Sequence, residues 1–446
     1  MASSPPGVEN AIFQEFVRQA PVDFPFRWPK GRRQTGIGYV AERRDVVIIG
    51  AGAAGMMCAI AAGRRGRRVL VLDHARAPGE KIRISGGGRC NFTNLGAGPG
   101  NFLSGNPHFC RSALAGYTPR DFLDLLRRHR IAWHEKHRGQ LFCNDSSESI
   151  IEMLRAECGQ AGVHWRMPCR VEEVAHEGGD GGNGGFVLRT DAGAVRAAKL
   201  VVATGGMAIP QLGATDFGLR IARQFGLKVA EPRPALVPLT FDPAQWQPFA
   251  ELAGVALEVG LETGEGRARG EFVEDLLFTH RGLSGPAILQ ISSYWQPGAA
   301  ITLDLAPGRD LAAELLARKP GSRQQLHTVL AELWPRRLAE RWLRAGEAGA
   351  PDLAAARLAD LPDRALRELA GRIHRWRLSP TGTAGYRKAE VMRGGVDTRG
   401  LDQKSMQARA VPGLYFIGEA VDVTGWLGGY NFQWAWSSAV ACGRAL

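Results

Sequence analysis

The chain has 446 residues, 45% of them hydrophobic and 22% charged. This composition excludes disorder as the overall state and predicts two or three structural units. Its 56 lysines and arginines against 44 acids give a formal charge of +12 and a pI near 9.7. That excess reads first as a solubility feature of an Arg-, Ala- and Gly-rich sequence, and second as the footprint of a polyanionic partner such as RNA.

Seven cysteines are scattered without a CxxC pair, which argues against a zinc ribbon, an iron–sulfur cluster and a redox dithiol. Their odd number and irregular spacing suit a reducing compartment, and a cytoplasmic location is expected. No apolar run approaches the roughly 18 residues of a membrane span. Residues 1–43 lack the apolar stretch of a secretory leader and read as a partly disordered extension, with a basic run at Lys30-Gly31-Arg32-Arg33.

Regular structure is predicted to begin at Asp45. The β-branched run to Gly50 is continuous rather than alternating, as in a strand buried on both faces of a parallel sheet. A helix to about Arg65 and a strand from Arg67 to Asp73 complete a βαβ opening. Next comes a polar, glycine-rich loop from Pro78 to Gly100, then helices near Pro119–His129 and Ser147–Cys158. Strands are expected at Val163–Val174, Phe186–Thr190 and Val195–Thr204, with Gly178–Gly185 as a flexible turn of no assigned function. Pro232 to Leu305 reads as short strands and turns, and Leu311 to Trp376 as helical. A strand at Gly413–Gly418 and a helix from about Asn431 close the chain.

The expected organisation is an α/β fold. A Rossmann-like strand–helix domain over 44–206 is interrupted by an inserted β domain (207–310) and a helical insert (311–378), then completed by 379–446.

Gly50-Ala51-Gly52-Ala53-Ala54-Gly55 is a G-x-G-x-x-G run between a strand and a helix. Its first glycine makes the turn, its second lets a pyrophosphate approach, and its third permits close helix–sheet packing. The phosphates then meet free N–H groups at the helix N-terminus. Asp73 ends the second strand, where a carboxylate accepts ribose hydroxyls.

The glycine motif alone does not separate FAD from NAD. The run Val201-Val-Ala203-Thr204-Gly205-Gly206 looks like the returning strand that passes a flavin nucleotide, and Gly413 to Gly418-Glu419 like the late strand that approaches the ribityl chain. The three together resemble FAD-dependent oxidoreductases of the glutathione-reductase-like superfamily.

Three longer signatures narrow the resemblance. They are Ser85-Gly86-Gly87-Gly88-Arg89-Cys90-Asn91-Phe-Thr-Asn94, Phe278-Thr-His280-Arg-Gly282-Leu-Ser284-Gly-Pro286, and Gly418-Glu419 through Gly428-Gly429-Tyr430-Asn431-Phe-Gln433. From about Asp45 onward the chain resembles the BaiN/RdsA-like, or aminoacetone-oxidase-like, NAD(P)/FAD-dependent oxidoreductases. The resemblance implies that Lys81 and Ser85 to Asn91 lie along the flavin and that Gly428 to Asn431 line its other side. Arg89 would then stabilise reduced flavin. The chain departs from the family pattern at Met392-Arg393, before Gly394-Gly395-Val396, and at Gly139-Gln140-Leu141-Phe142-Cys143. Both departures are expected to face substrate.

Cys90 is a candidate proton donor, set against a packing role, because no base beside it is identifiable. His280 is a candidate general acid or anion contact, set against a turn histidine. His129, His134 and His137 read as a solvated basic face, and no metal is expected. Trp426, Trp434 and Trp436 read as packing around the cofactor, and Arg336 to Arg344 as the first place to seek RNA phosphate contacts.

The resemblance implies NAD(P)H-driven reduction of a carbon–carbon double bond, with uridine of ribosomal RNA as the leading substrate. The competing readings are a small-molecule amine or enone enzyme and an RNA-binding protein with structural FAD. With one dinucleotide fingerprint, NAD(P)H is expected to dock only transiently.

Overall fold

The computed structural model describes residues 42–177, 184–345 and 352–446. The N-terminal extension with its basic run, and residues 178–183 of the glycine turn, lie outside the described residues.

The first strand, β1 (Glu42–Ile49), buries its last four residues completely or nearly so. Helix α1 (Ala53–Gly63) follows, then β2 (Val69–Leu72), whose four residues are all buried. α1 is buried on almost every side, which its Ala-, Met- and Cys-rich composition permits.

The stretch read as one polar loop contains two elements: a short helix, α2 (Glu80–Ile84), and a strand, β3 (Asn91–Asn94). β3 pairs antiparallel with β4 (Gln140–Cys143), which pairs in turn with residues Trp133–Glu135. The run read as one strand over Val163–Val174 is two, His164–Arg166 and Val171–Glu177, separated by Pro168, which has no N–H for a ladder bond.

β5 (Gly193–Val202) is the centre of the main sheet. It runs parallel to β1 with Val46 opposite Lys199 and Ile49 opposite Val202. Its other edge is shared. Its first half pairs antiparallel with Gly185–Thr190, and its last residues pair parallel with Leu414–Phe416. The carboxyl ends of three parallel strands therefore stop at one place, where Asp73, Gly50 and Ala203 follow one another across the sheet. This is where open parallel sheets bind ligands.

A two-stranded ribbon leads into and out of the inserted part. Val229–Ala235 pairs with β6 (Val391–Val396), with Val229 opposite Val396 and Ala235 opposite Val391. Beyond the ribbon lies a second, antiparallel seven-stranded sheet that includes Ala256–Thr263, Gly270–Thr279 and Ile301–Asp304. Its core runs from Leu239 to Trp376 and holds Trp246, Phe249, Phe278 and Trp376 in ring contact.

The sequence boundary at 207 does not coincide with the division between cores. Helix Phe217–Gln224 buries Leu219, Ile221 and Ala222 in the core of the main sheet. The chain returns through β7 (Leu414–Phe416) and ends in α3 (Tyr430–Ala445), which packs on α1.

Candidate functional site

The strand ends open into a cavity of about 1000 Å³, at the top of the usual range of about 300–1,000 Å³ for ligand pockets. One part of its wall is the glycine turn after β1. A Cβ on Gly55 would sit 1.9 Å from the Gly50 carbonyl oxygen, so α1 can approach the turn only with glycine there. A Cβ on Gly52 would meet nothing within 4 Å, and Gly52 lines the cavity. The cavity thus fills the space that a side chain would take. α1 has no side-chain cap, so its first N–H groups remain available to an anion.

Asp73 braces this turn. Its Oδ2 accepts the Ala51 N–H at 2.6 Å and its Oδ1 accepts the Ala75 N–H at 2.8 Å. Each carboxylate oxygen keeps a further lone pair, and Asp73 lines the cavity.

Another part of the wall comes from the signatures. Ser85, Gly86, Gly87 and Asn91 line the cavity together with Gly428, Gly429 and Asn431. The remaining signature residues hold these segments in place. Asn94 donates to the Gly428 carbonyl and Trp436 to the Phe92 carbonyl, at 3.1 and 2.9 Å. Oriented by its neighbours, the Asn91 amide donates to the Leu141 carbonyl and accepts the Gly429 N–H. A Cβ on Gly429, at φ +94°, would fall 2.3 Å from the Thr93 carbonyl. On the opposite side of the turn, the Trp434 indole donates to the Gly418 carbonyl at 3.0 Å.

Of the residues singled out in the sequence, Gly50, Gly52, Ala53, Ala54, Asp73, Lys81, Ala203, Thr204, Gly205, Gly418 and Glu419 also line the cavity. Gly55, Gly88, Arg89, Cys90 and Tyr430 are not among its lining residues. Gly55 and Tyr430 pack behind the wall, and Arg89 is exposed.

Cys90 is fully buried in left-handed backbone at φ +48°, with its N–H on the Ser85 carbonyl at 3.0 Å. Burial pushes its thiol well above the ordinary range, which favours a packed, neutral sulfur. His280 is exposed in the hairpin turn between Gly270–Thr279 and Gly282–Ser284, and it is not a lining residue either.

The two family departures behave differently. Gln140 and Phe142 line the cavity. Met392 is buried, and the Arg393 guanidinium donates to the Ser293 carbonyl at 2.8 Å, so neither faces the cavity. The arginine stretch on Arg336–Ala345 is largely occupied. Arg336 pairs with Glu340 at 2.9 Å, while Arg337 and Arg341 both reach Glu251. The three histidines point to separate partners, His129 to Glu157, His134 to Asn144 and His137 to Glu274. Among the described residues no cluster with metal-ligand geometry is found, and no helix is long and apolar enough to cross a membrane.

Sequence reasoning missed Glu390. It lines the cavity and is exposed there. The surrounding protein raises its pKa, and the charge of Lys81 opposes that rise in part. Lys81 itself is paired with Glu419 at 2.7 Å. No local signal marks Glu390, because what surrounds it comes from distant parts of the chain.

The family model "HI0933-like protein Rossmann domain" matches residues 44–445. The chain belongs to that family. It is 52% identical over 406 residues to "Ribosomal RNA dihydrouridine synthase" of Escherichia coli K12, covering 91% of this chain and 98% of that one. It is 45% identical to the protein of the same name from Haemophilus influenzae, covering 91% of this chain and 99% of that one. At 30% identity it matches "3-dehydro-bile acid delta(4,6)-reductase" of Clostridium scindens, covering 89% of this chain and 98% of that one. The chain is accordingly an oxidoreductase with an FAD-binding Rossmann fold.

The cavity fits that cofactor on two counts: it has the volume, and it has an open space where Gly52 lacks a side chain.

Proposed function

We propose that this protein reduces the carbon–carbon double bond of a uracil base in ribosomal RNA, forming dihydrouridine, with NAD(P)H as the source of electrons. The observation that carries this reading is end-to-end similarity at 52% identity to a protein named for that reaction. The cavity and the basic charge are consistent with it.

FAD, when bound, supplies a ring that takes hydride from one partner and gives it to another. The chain's own residues supply the rest. The turn Gly50–Gly55 and the α1 N-terminus hold the phosphates. Asp73 keeps that turn in shape and presents its remaining lone pairs to a ribose. Lys81 and Glu419 fix each other in the cavity wall, and Glu419 also accepts the Met392 N–H at 2.8 Å. Gln140, Phe142 and Leu427 offer an amide and two apolar surfaces in the same wall, the combination that recognises a base edge and a base face.

A uracil must leave its stack to enter this cavity, so single-stranded or loosely paired RNA is the expected substrate. The charge of +12 supports association with a polyanion. The sequence carries one dinucleotide fingerprint, and NAD(P)H and the base would use the same opening in turn.

The test is anaerobic. FAD-loaded protein is reduced with NADPH or NADH and then mixed with ribosomal RNA that lacks dihydrouridine. Flavin reoxidation with a gain of two hydrogens on one uridine is the expected result. A reduced flavin that ignores RNA yet reoxidises with a free enone would give the small-molecule reading instead.

A further inference from the structure

The hairpin formed by Trp133–Glu135 and β4 carries one face that continues the cavity wall outward. Phe142 lines the cavity from β4, as does Gln140 two residues before it on the same face. The Phe142 ring lies against Gly86, where a Cβ would come within 2.8 Å of it. His134 stands opposite Phe142 in the ladder, so the two side chains share that face. Their rings stack, with centroids 6.1 Å apart and planes 18° apart, and His134 Nδ1 is 2.9 Å from the Asn144 amide oxygen. Lys136 Nζ lies 5.7 Å from the centroid of the same Phe142 ring. His134 and Lys136 are both exposed.

The cations on this side of the cavity are free. Lys136 has no ion pair among the described residues, and its N–H donates to the Gln140 carbonyl at 3.0 Å, at the start of β4. At the other end of β4 the Cys143 N–H donates to the Arg89 carbonyl at 2.9 Å. Arg89 is exposed, and its guanidinium has neither a hydrogen bond nor an ion pair among the described residues. The acids nearby are taken or face elsewhere. Glu135 alternates to the opposite face of its strand and accepts the Gly139 N–H at 2.8 Å. Glu274 holds Arg138 at 2.8 Å and His137 at 3.5 Å. Asp145 lines a separate surface pocket together with Cys143.

Exposed apolar groups border the same hairpin. Leu95 and Val273 are two of the three large apolar side chains left exposed among the described residues. The Leu95 N–H donates to the Gly139 carbonyl at 2.9 Å, and the Val273 carbonyl accepts the Arg138 guanidinium at 2.6 Å. The third, Ile84, lines the cavity two residues before Gly86.

Unpaired cations beside exposed aromatic faces are the combination that holds a single nucleic-acid strand: cations take the phosphates and rings take the bases. A base that leaves its stack for the cavity also needs its neighbours anchored at the mouth. On the reading that the substrate is ribosomal RNA, we propose that this hairpin face holds the strand flanking the target uridine, with a neighbouring base on the His134 ring and phosphates on Lys136 and Arg89. The net charge of +12 favours such a polyanion over an acidic-poor or neutral partner.

The test uses FAD-loaded full-length protein and a fluorescent ribosomal RNA fragment that lacks dihydrouridine. Affinity is measured by anisotropy across a salt series. Lys136→Ala should weaken binding and make the slope of log K against log salt shallower by about 0.7, the loss of one phosphate contact on a single strand. His134→Ala should weaken binding by about 5- to 150-fold, and His134→Phe, which keeps a stacking ring, should restore it. Arg323→Ala removes an exposed, unpaired arginine of the helical insert and should change neither quantity. Dihydrouridine formation at low RNA concentration should fall in step with affinity. Wild-type binding and slope in both Lys136→Ala and His134→Ala, from a wild-type protein that does modify RNA, overturn the proposal and leave the RNA reading intact. An equal loss of slope in Arg323→Ala also overturns it, because the attraction would then belong to the whole surface. A wild-type protein that adds no hydrogen to any uridine overturns the RNA reading, and this proposal with it.

Discussion

Gly52→Ala separates the ligand from the fold. The backbone at Gly52 is extended, at φ −83° and ψ −168°, which alanine adopts freely. A Cβ there meets no protein atom within 4 Å. Restricting the unfolded chain gains about 0.4–1 kcal/mol, and alanine is a poorer N-cap than glycine by a comparable amount. The two effects nearly cancel, so the apoprotein should melt within about 2 °C of wild type.

With cofactor the outcome differs, because the new methyl occupies the space where the phosphates must approach α1. An overpacking cost of about 1–3 kcal/mol corresponds to a loss of roughly 5- to 150-fold in FAD affinity. Titrating apoprotein with FAD by flavin fluorescence, beside thermal melts without FAD, measures both quantities. A G52A protein that binds FAD as tightly as wild type would refute the assignment of this space to the phosphates. An apoprotein that fails to fold would refute the packing argument.

Further predictions follow from the same geometry. Gly55→Ala should destabilise the apoprotein itself, because its Cβ would lie 1.9 Å from a backbone oxygen; an unchanged melting temperature would contradict this. His280→Ala should leave FAD content and turnover near wild type, since His280 is exposed and off the cavity wall, and a large loss in kcat would restore it as a candidate acid. Trp434→Phe removes the donor to the buried Gly418 carbonyl, an expected cost of about 1–3 kcal/mol in urea unfolding. Alkali should also destabilise the fold. Burial pushes Cys110 up to about 11 and Cys143 and Cys158 up to about 12, from an ordinary 9.0. Groups with raised folded values stabilise fully below the unfolded value and lose that contribution as pH climbs toward the folded one. Urea midpoints should therefore fall above about pH 9, and a flat profile there would contradict the burial of these thiols.

The glycine turn was legible because its rules are local: residue type, spacing, and a strand and helix on either side. The same holds for β1, α1 and β2. The small sheet around β3 was not legible. Asn91-Phe-Thr-Asn94 carries one apolar residue, and it becomes a strand because the distant Gln140–Cys143 run supplies its partner. Helix Phe217–Gln224 was assigned to the insertion by its place in the chain, whereas its apolar face completes the core of the main sheet.

The signature around Cys90 made the thiol look chemical. In the fold that cysteine supports the loop from behind, at positive φ, while its glycine neighbours meet the cavity. Glu390 shows the converse. It lines the same cavity as Lys81 and Glu419, and no local pattern in the sequence announces that.

The central claim is most directly tested by the mass of one uridine. FAD-loaded protein reduced by NADPH under anaerobic conditions is given ribosomal RNA without dihydrouridine, and the RNA is digested and weighed. The account predicts reoxidised flavin and a single uridine heavier by two hydrogens. RNA of unchanged mass beside a fully reduced flavin would contradict it.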